Sequence, residues 1–118
     1  MQAKRMAVVL ITFLLAAIIL TAQVPKLDGT WEGKVDHEGR LELMTFQFHV
    51  SGKVLSGKVL REGDDFGTFS DGKVEGKTIS FIVSGVSFAG EMDGEQLKIT
   101  ITATNGNKFY LTAARKKP

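Results

Sequence analysis

The residues that could carry chemistry are few and scattered. There are two histidines, His37 and His49. His37 abuts a Glu38-Gly39 turn signal, and His49 lies near the far end of the segment that follows. Nine extended residues separate His49 from Arg40, the expected neighbour of His37 across that turn. That spacing sets the imidazoles about 30 Å apart, too far for a shared metal or a proton relay. Both are expected to be solvated. The loop Glu62-Gly63-Asp64-Asp65 gathers three carboxylates. It lacks the alternating ligand spacing of a calcium loop, and neighbours in one turn cannot flank a glycosidic bond from two sides. No Gly-x-Ser-x-Gly elbow occurs. Glycine pairs such as Gly52 and Gly57 open no helix that would cradle a phosphate. The absence of cysteine excludes disulfides, thiolate metal sites and a cysteine nucleophile. The sequence thus names no catalytic residue, no metal ligand and no cofactor, and a non-enzymatic protein is expected.

The elements that must position any site are legible. Seven glycine-containing turn signals punctuate residues 38–106: Glu38-Gly39, Ser51-Gly52, Gly63-Asp64-Asp65, Glu75-Gly76, Ser84-Gly85, Asp93-Gly94 and Asn105-Gly106. Between them run segments of period-two apolar alternation, with no sustained helical period. The predicted strands are Leu27–Asp36, Arg40–Val50, Lys53–Leu60, Phe66–Val74, Lys77–Val83, Val86–Met92, Glu95–Ala103 and Lys108–Arg115. The expected fold is all-β, an eight-stranded antiparallel up-and-down β-barrel.

Folding each hairpin on its turn tests this reading. A Ser51-Gly52 turn pairs Phe48 with Leu55 and Phe46 with Gly57. A Ser84-Gly85 turn pairs Phe81 with Phe88, and an Asp93-Gly94 turn pairs Phe88 with Ile99. Each keeps the apolar residues on one face, as burial of a single face demands. The last hairpin needs a longer loop near Thr104–Lys108. A repeat of period eighteen relates Gly72–Phe81 to Gly90–Ile99, as expected of a meander of hairpins. The other face is polar, with Glu32, Lys34, Thr45, Gln47, Lys58 and Thr100 among its members. It could not face lipid, so the apolar set must point inward. Phe69, Ile82 and Leu41 break the alternation; projecting outward, they would make a modest apolar patch, and Phe69 and Ile82 could form a side-by-side dimer contact.

The first twenty-two residues are expected to be an export signal. Lys4 and Arg5 precede an apolar run from Met6 to Leu20, and Ala22 suits the position before a cleavage point. The alternative is an uncleaved anchor, since Met6–Ala22 just reaches spanning length. Either reading divides the chain into a signal helix or anchor, 1–22, and a barrel domain, 23–118, on the secreted or periplasmic side. Without Lys4 and Arg5 the formal charge of +2 vanishes, leaving basic and acidic residues in equal number. The lysines alternate with acids and form no stripe, so nucleic acid is not an expected partner. The tail Arg115-Lys116-Lys117 carries too few charges for firm attachment to anionic lipid. Membrane contact is expected only through the N-terminal segment if it is retained.

The first strand opens Gly29-Thr30-Trp31 and the last ends in Arg115. In an even-stranded barrel these meet, and the guanidinium can lie across the indole. The chain resembles the calycins, the superfamily of lipocalins, fatty-acid-binding proteins and avidins, on Gly29, Trp31 and Arg115. The resemblance implies a structural role for those three residues and a barrel with a ligand mouth. It names no ligand.

Trp31, Phe46, Phe48, Phe81, Phe88 and Phe109 converge on the interior and are the candidate ligand-binding residues. Gly33, Gly57, Gly72 and Gly90 also point inward. They either leave room for a ligand or let a small barrel coil sharply around a filled core. The expected function is that of an exported binding module for a small hydrophobic ligand. The alternative is a protein-interaction or protease-inhibitor-like barrel with a filled core.

Overall fold

The computed structural model describes residues 26–117; the signal and anchor readings fall on residues outside the described ones. Nine strand segments follow one another: β1 Gly29–His37, β2 Arg40–Ser51, β3 Val54–Arg61, β4 Asp64–Thr68, β5 Ser70–Glu75, β6 Thr78–Val83, β7 Val86–Asp93, β8 Gln96–Thr102 and β9 Lys108–Arg115. Successive strands pair antiparallel, and β9 returns to pair with β1. Segments β4 and β5 are halves of one strand interrupted at Phe69, and both pair with β3. The result is an eight-stranded, antiparallel, closed barrel, as the turn spacing predicts. Among the described residues every strand segment except β4 pairs on both sides, so closure leaves β4 as the one edge, which suits a domain without disulfides.

The two-residue hairpins fall into two classes, one at each end. At the end where β1 finishes, Glu38-Gly39, Glu62-Gly63 and Ser84-Gly85 all have both residues at positive φ, between 49° and 83°. This is the type I′ pattern, whose twist matches that of the flanking strands. At the end where β1 begins, the two-residue turns are Gly52-Lys53, Gly76-Lys77 and Gly94-Glu95, with glycine first at φ 59–62°. The residue before that glycine stays in the strand. The register therefore differs by two residues from the expected one in two hairpins. Phe48 faces Gly57 and Phe46 faces Val59; Gly90 faces Ile99 and Phe88 faces Ile101. A two-residue slip preserves every inward and outward assignment. The β6–β7 register, Phe81 opposite Phe88, matches the expectation, and Thr102 faces Lys108 across the longer last loop.

The outward placement of Phe69 is overturned. Registry slips between Val59 and Leu60 and again between Ser70 and Lys73, with Asp71 at φ 52°. These bulges invert the alternation locally. Gly67 and Phe69 therefore join the interior face, and Phe69 stacks on Phe81 with ring centroids 3.9 Å apart. The dimer contact built on Phe69 is lost with it, whereas Leu41 is exposed as expected. Gly72 lets the bulged strand lie against β3, since a Cβ there would stand 1.8 Å from the Leu55 carbonyl oxygen.

The core is aromatic and continuous. Trp31, Phe46, Phe81 and Phe88 are fully buried with Val59, Val83, Leu97 and Ile99. Phe81 stacks on Phe88 at 4.8 Å, and Phe46 stacks on Phe48 at 5.8 Å. The inward glycines leave no room beside this stack. A Cβ at Gly33 would lie 2.6 Å from the Thr112 carbonyl oxygen, and one at Gly90 would press on Ile79 at 3.0 Å. They permit close strand approach, as sharp coiling requires.

Candidate functional site

The two ends of the barrel are finished differently, and among the described residues an apolar recess opens at the end where β1 finishes. At the end where β1 begins, Leu27 lies across the opening and accepts a hydrogen bond from the Trp31 indole N–H at 2.9 Å. Arg115, opposite Trp31 in the β1–β9 register, sets its guanidinium 4.7 Å from the indole centroid. It also donates to the carbonyls of Asp28 and Lys26, strapping the incoming chain over the barrel. Asp28 accepts the Val50 N–H at 2.8 Å, which ties the same strap to β2. Trp31 and Arg115, the residues singled out in the sequence, thus meet at this end. Gly29 lies beside them, where a Cβ would stand 3.2 Å from the Arg115 guanidinium.

At the opposite end the aromatic column stops at Phe88, and an apolar recess of about 160 Å³ opens above it. Its walls are Val35, Met44, Phe66, Phe88, Ile101 and Phe109, with Val86 and Ala103 at the mouth. One side carries three polar groups, Glu42, Arg61 and His37. All three occupy inward-facing positions of their strands, because Glu42 continues the alternation of Met44, Phe46 and Phe48 and Arg61 that of Val59 and Leu55.

Glu42 is the hub. Its side chain is only 6% exposed. Arg61 grips it with two parallel hydrogen bonds, Nε to Oε2 and Nη2 to Oε1, the latter 3.0 Å. His37 Nδ1 lies 3.0 Å from Oε1. The hydrogen bond from Arg61 is the main reason that the Glu42 carboxyl is held below its ordinary range, with the Arg61 charge and the His37 contact adding to it against the opposing effect of burial. Arg61 is pushed up in turn by the same bond. An ionised carboxylate only accepts, so His37 Nδ1 carries the proton toward Glu42 and Nε2 faces away. The imidazole also meets the Phe109 ring edge-on at 5.3 Å. This bidentate pairing satisfies a buried charge that would otherwise be costly.

Of the candidate ligand-binding residues, Phe88 and Phe109 line the recess. Trp31, Phe46, Phe48 and Phe81 pack on one another or on Arg115 deeper in the barrel. His49 is exposed at the other end, as expected, with Nδ1 3.6 Å from Asp28. His37 departs from the expectation of a solvated surface residue, since its ring belongs to the recess. Glu42 and Arg61 escaped the sequence reading altogether, because charged residues are presumed to face water. Their inward parity was the available signal. Larger hollows lie on the outside of the sheet. The one across β5–β8 is walled by Lys73, Glu75, Glu91 and Lys98 and is a saddle of the coiled strands, without an enclosed apolar floor. Among the described residues, no three His, Asp or Glu side chains converge as a metal site would need. Compared with known proteins, the chain matches no protein-family model, no curated protein and no solved structure.

Proposed function

We propose that this chain is an exported, calycin-like binding module whose open end takes a small apolar group. The observation that carries this reading is the recess above Phe88, an apolar pocket at the mouth of an otherwise filled barrel with a few convergent polar groups on one wall. At about 160 Å³ it suits a group the size of a benzene ring, not an extended lipid. Kinship with calycins is supported by the Gly29-Thr30-Trp31 opening and by Arg115 over Trp31. Export is supported by the basic and apolar run at residues 4–20. Finding Gln23 as the first residue of the secreted protein would establish cleavage.

The test uses the protein purified after expression of the full chain and 2-phenylethanol as a neutral probe. Binding should shift the NMR signals of Val86, Phe88 and Phe109 and leave those around Trp31 in place. Val86→Phe, which fills the mouth, should abolish the shifts while the barrel stays folded. Shifts spread evenly over the surface, or unchanged in the filled variant, overturn the reading.

A second reading is favoured by the continuous Phe46, Phe48, Phe81 and Phe88 column, which leaves little interior for any ligand. In it the barrel is a rigid scaffold that presents its rim to a partner protein. Failure of every small probe at the open end would leave this reading standing.

A further inference from the structure

We infer that the open end selects for cations, so that its ligand is a small organic ammonium, a ring-sized apolar group carrying a protonated amine. The inference rests on reading the recess as a binding site and specifies what that site prefers. Its physical basis is the charge around the mouth. Two further hollows adjoin the recess and share Glu42 and Arg61 with it. Arg40 lines both; one adds Glu62, Asp64 and Asp65, the other Glu38. The Glu42–Arg61 pair is closed on itself by two hydrogen bonds and contributes little net field. That leaves Glu38, Glu62, Asp64 and Asp65 opposed by Arg40 alone among the residues of those hollows. Just beyond them stand Asp36, whose carboxylate caps the Glu38-Gly39 turn, and Lys108 at the start of β9. The balance at this end is negative with these two counted.

Three features turn that balance into selectivity. The floor and walls are apolar, so affinity for the ring is indifferent to charge and the rim decides the head group. A concave mouth with low-dielectric walls concentrates the field of its rim carboxylates. The His37 ring donates through Nδ1 to Glu42, so in the neutral imidazole Nε2 is left as an acceptor, which suits an ammonium N–H and not a carboxylate. An anion would find only the Arg61 N–H groups that Glu42 leaves free, and would meet them against the field of the rim carboxylates.

The experiment compares three probes of one shape on the protein purified after expression of the full chain: 2-phenylethylammonium, 2-phenylethanol and 3-phenylpropanoate, each titrated by NMR at about 20 mM and about 500 mM salt. The ammonium is expected to bind about five- to tenfold tighter than the alcohol at low salt, with the margin shrinking at high salt, and the carboxylate weakest of the three. The double variant Asp64→Asn/Asp65→Asn, at the exposed start of β4, should narrow the margin without weakening the alcohol. Equal binding of ammonium and alcohol, or tighter binding of the carboxylate, overturns the inference while leaving the pocket itself intact. If none of the three binds, both the inference and the reading it rests on fall.

Discussion

The two ends of this barrel solve the same problem by opposite means. Where β1 begins, the opening is sealed by apolar and aromatic bulk, with Leu27 across the Trp31 indole and Arg115 strapped over both. Where β1 finishes, the column stops short, and a polar trio, Glu42, Arg61 and His37, stands at the rim of a recess. The turns follow the same division, glycine-first at the sealed end and type I′ at the open one. The difference teaches where stability and function separate. The sealed end gains from burial, which is insensitive to pH and salt. The open end is held by an ion pair, whose worth depends on protonation and whose removal leaves the barrel wall intact.

Breaking the sealed end should cost most. Trp31→Ala removes the largest fully buried side chain and is expected to cost about 3–5 kcal/mol in chemical denaturation. An effect below about 1 kcal/mol would mean that the indole is not the keystone of that end. Next in size is Arg115→Ala, which loses the contact with the indole and two hydrogen bonds to backbone carbonyls. It should cost about 1–2 kcal/mol, with Arg115→Lys only partly restoring it, because an ammonium cannot span both carbonyls and the ring.

The open end sharpens the comparison through pH. Folding holds the Glu42 carboxyl below its ordinary value of 4.5, so its contribution is full above that pH and is lost as the pH falls through the lowered value. Glu42→Gln should therefore be less stable than the parent at neutral pH, and the gap should close in acid. A gap that persists unchanged at low pH would show that packing, not charge, accounts for Glu42. The smallest expected effect is a gain. Ser84 holds φ 49° as the first residue of a type I′ turn, a conformation that asparagine tolerates better. Ser84→Asn should stabilise by about 0.5 kcal/mol, measured by the denaturation midpoint.

Much of the architecture could be read from single residues. Alternation on each strand named the interior, and the evenly spaced glycine signals set the strand number. The pairing of the first strand with the last put Arg115 on Trp31. The candidate site was less legible. Phe88 and Phe109 were identified as interior residues, but nothing local separates them from Phe46 or Phe81, which sit deeper in the same column. Glu42 and Arg61 lie on inward positions in full view of the alternation, nineteen residues apart in a chain where charge normally marks the outside. What makes them tolerable inside is each other, and their meeting depends on the β2–β3 register.

The amino-acid sequence determined the fold class, the inward face and the sealed end, because these follow from period-two alternation and from the order of strands around a closed barrel. Tertiary structure alone decided which residues occupy the two-residue turns at the sealed end, that a double bulge turns Phe69 inward, and that a carboxylate, a guanidinium and an imidazole converge above Phe88. The reason is that a two-residue slip leaves every face assignment unchanged, and a bulge is visible only against the partner strand. The long-range pairs that settle both are formed only when the sheet closes.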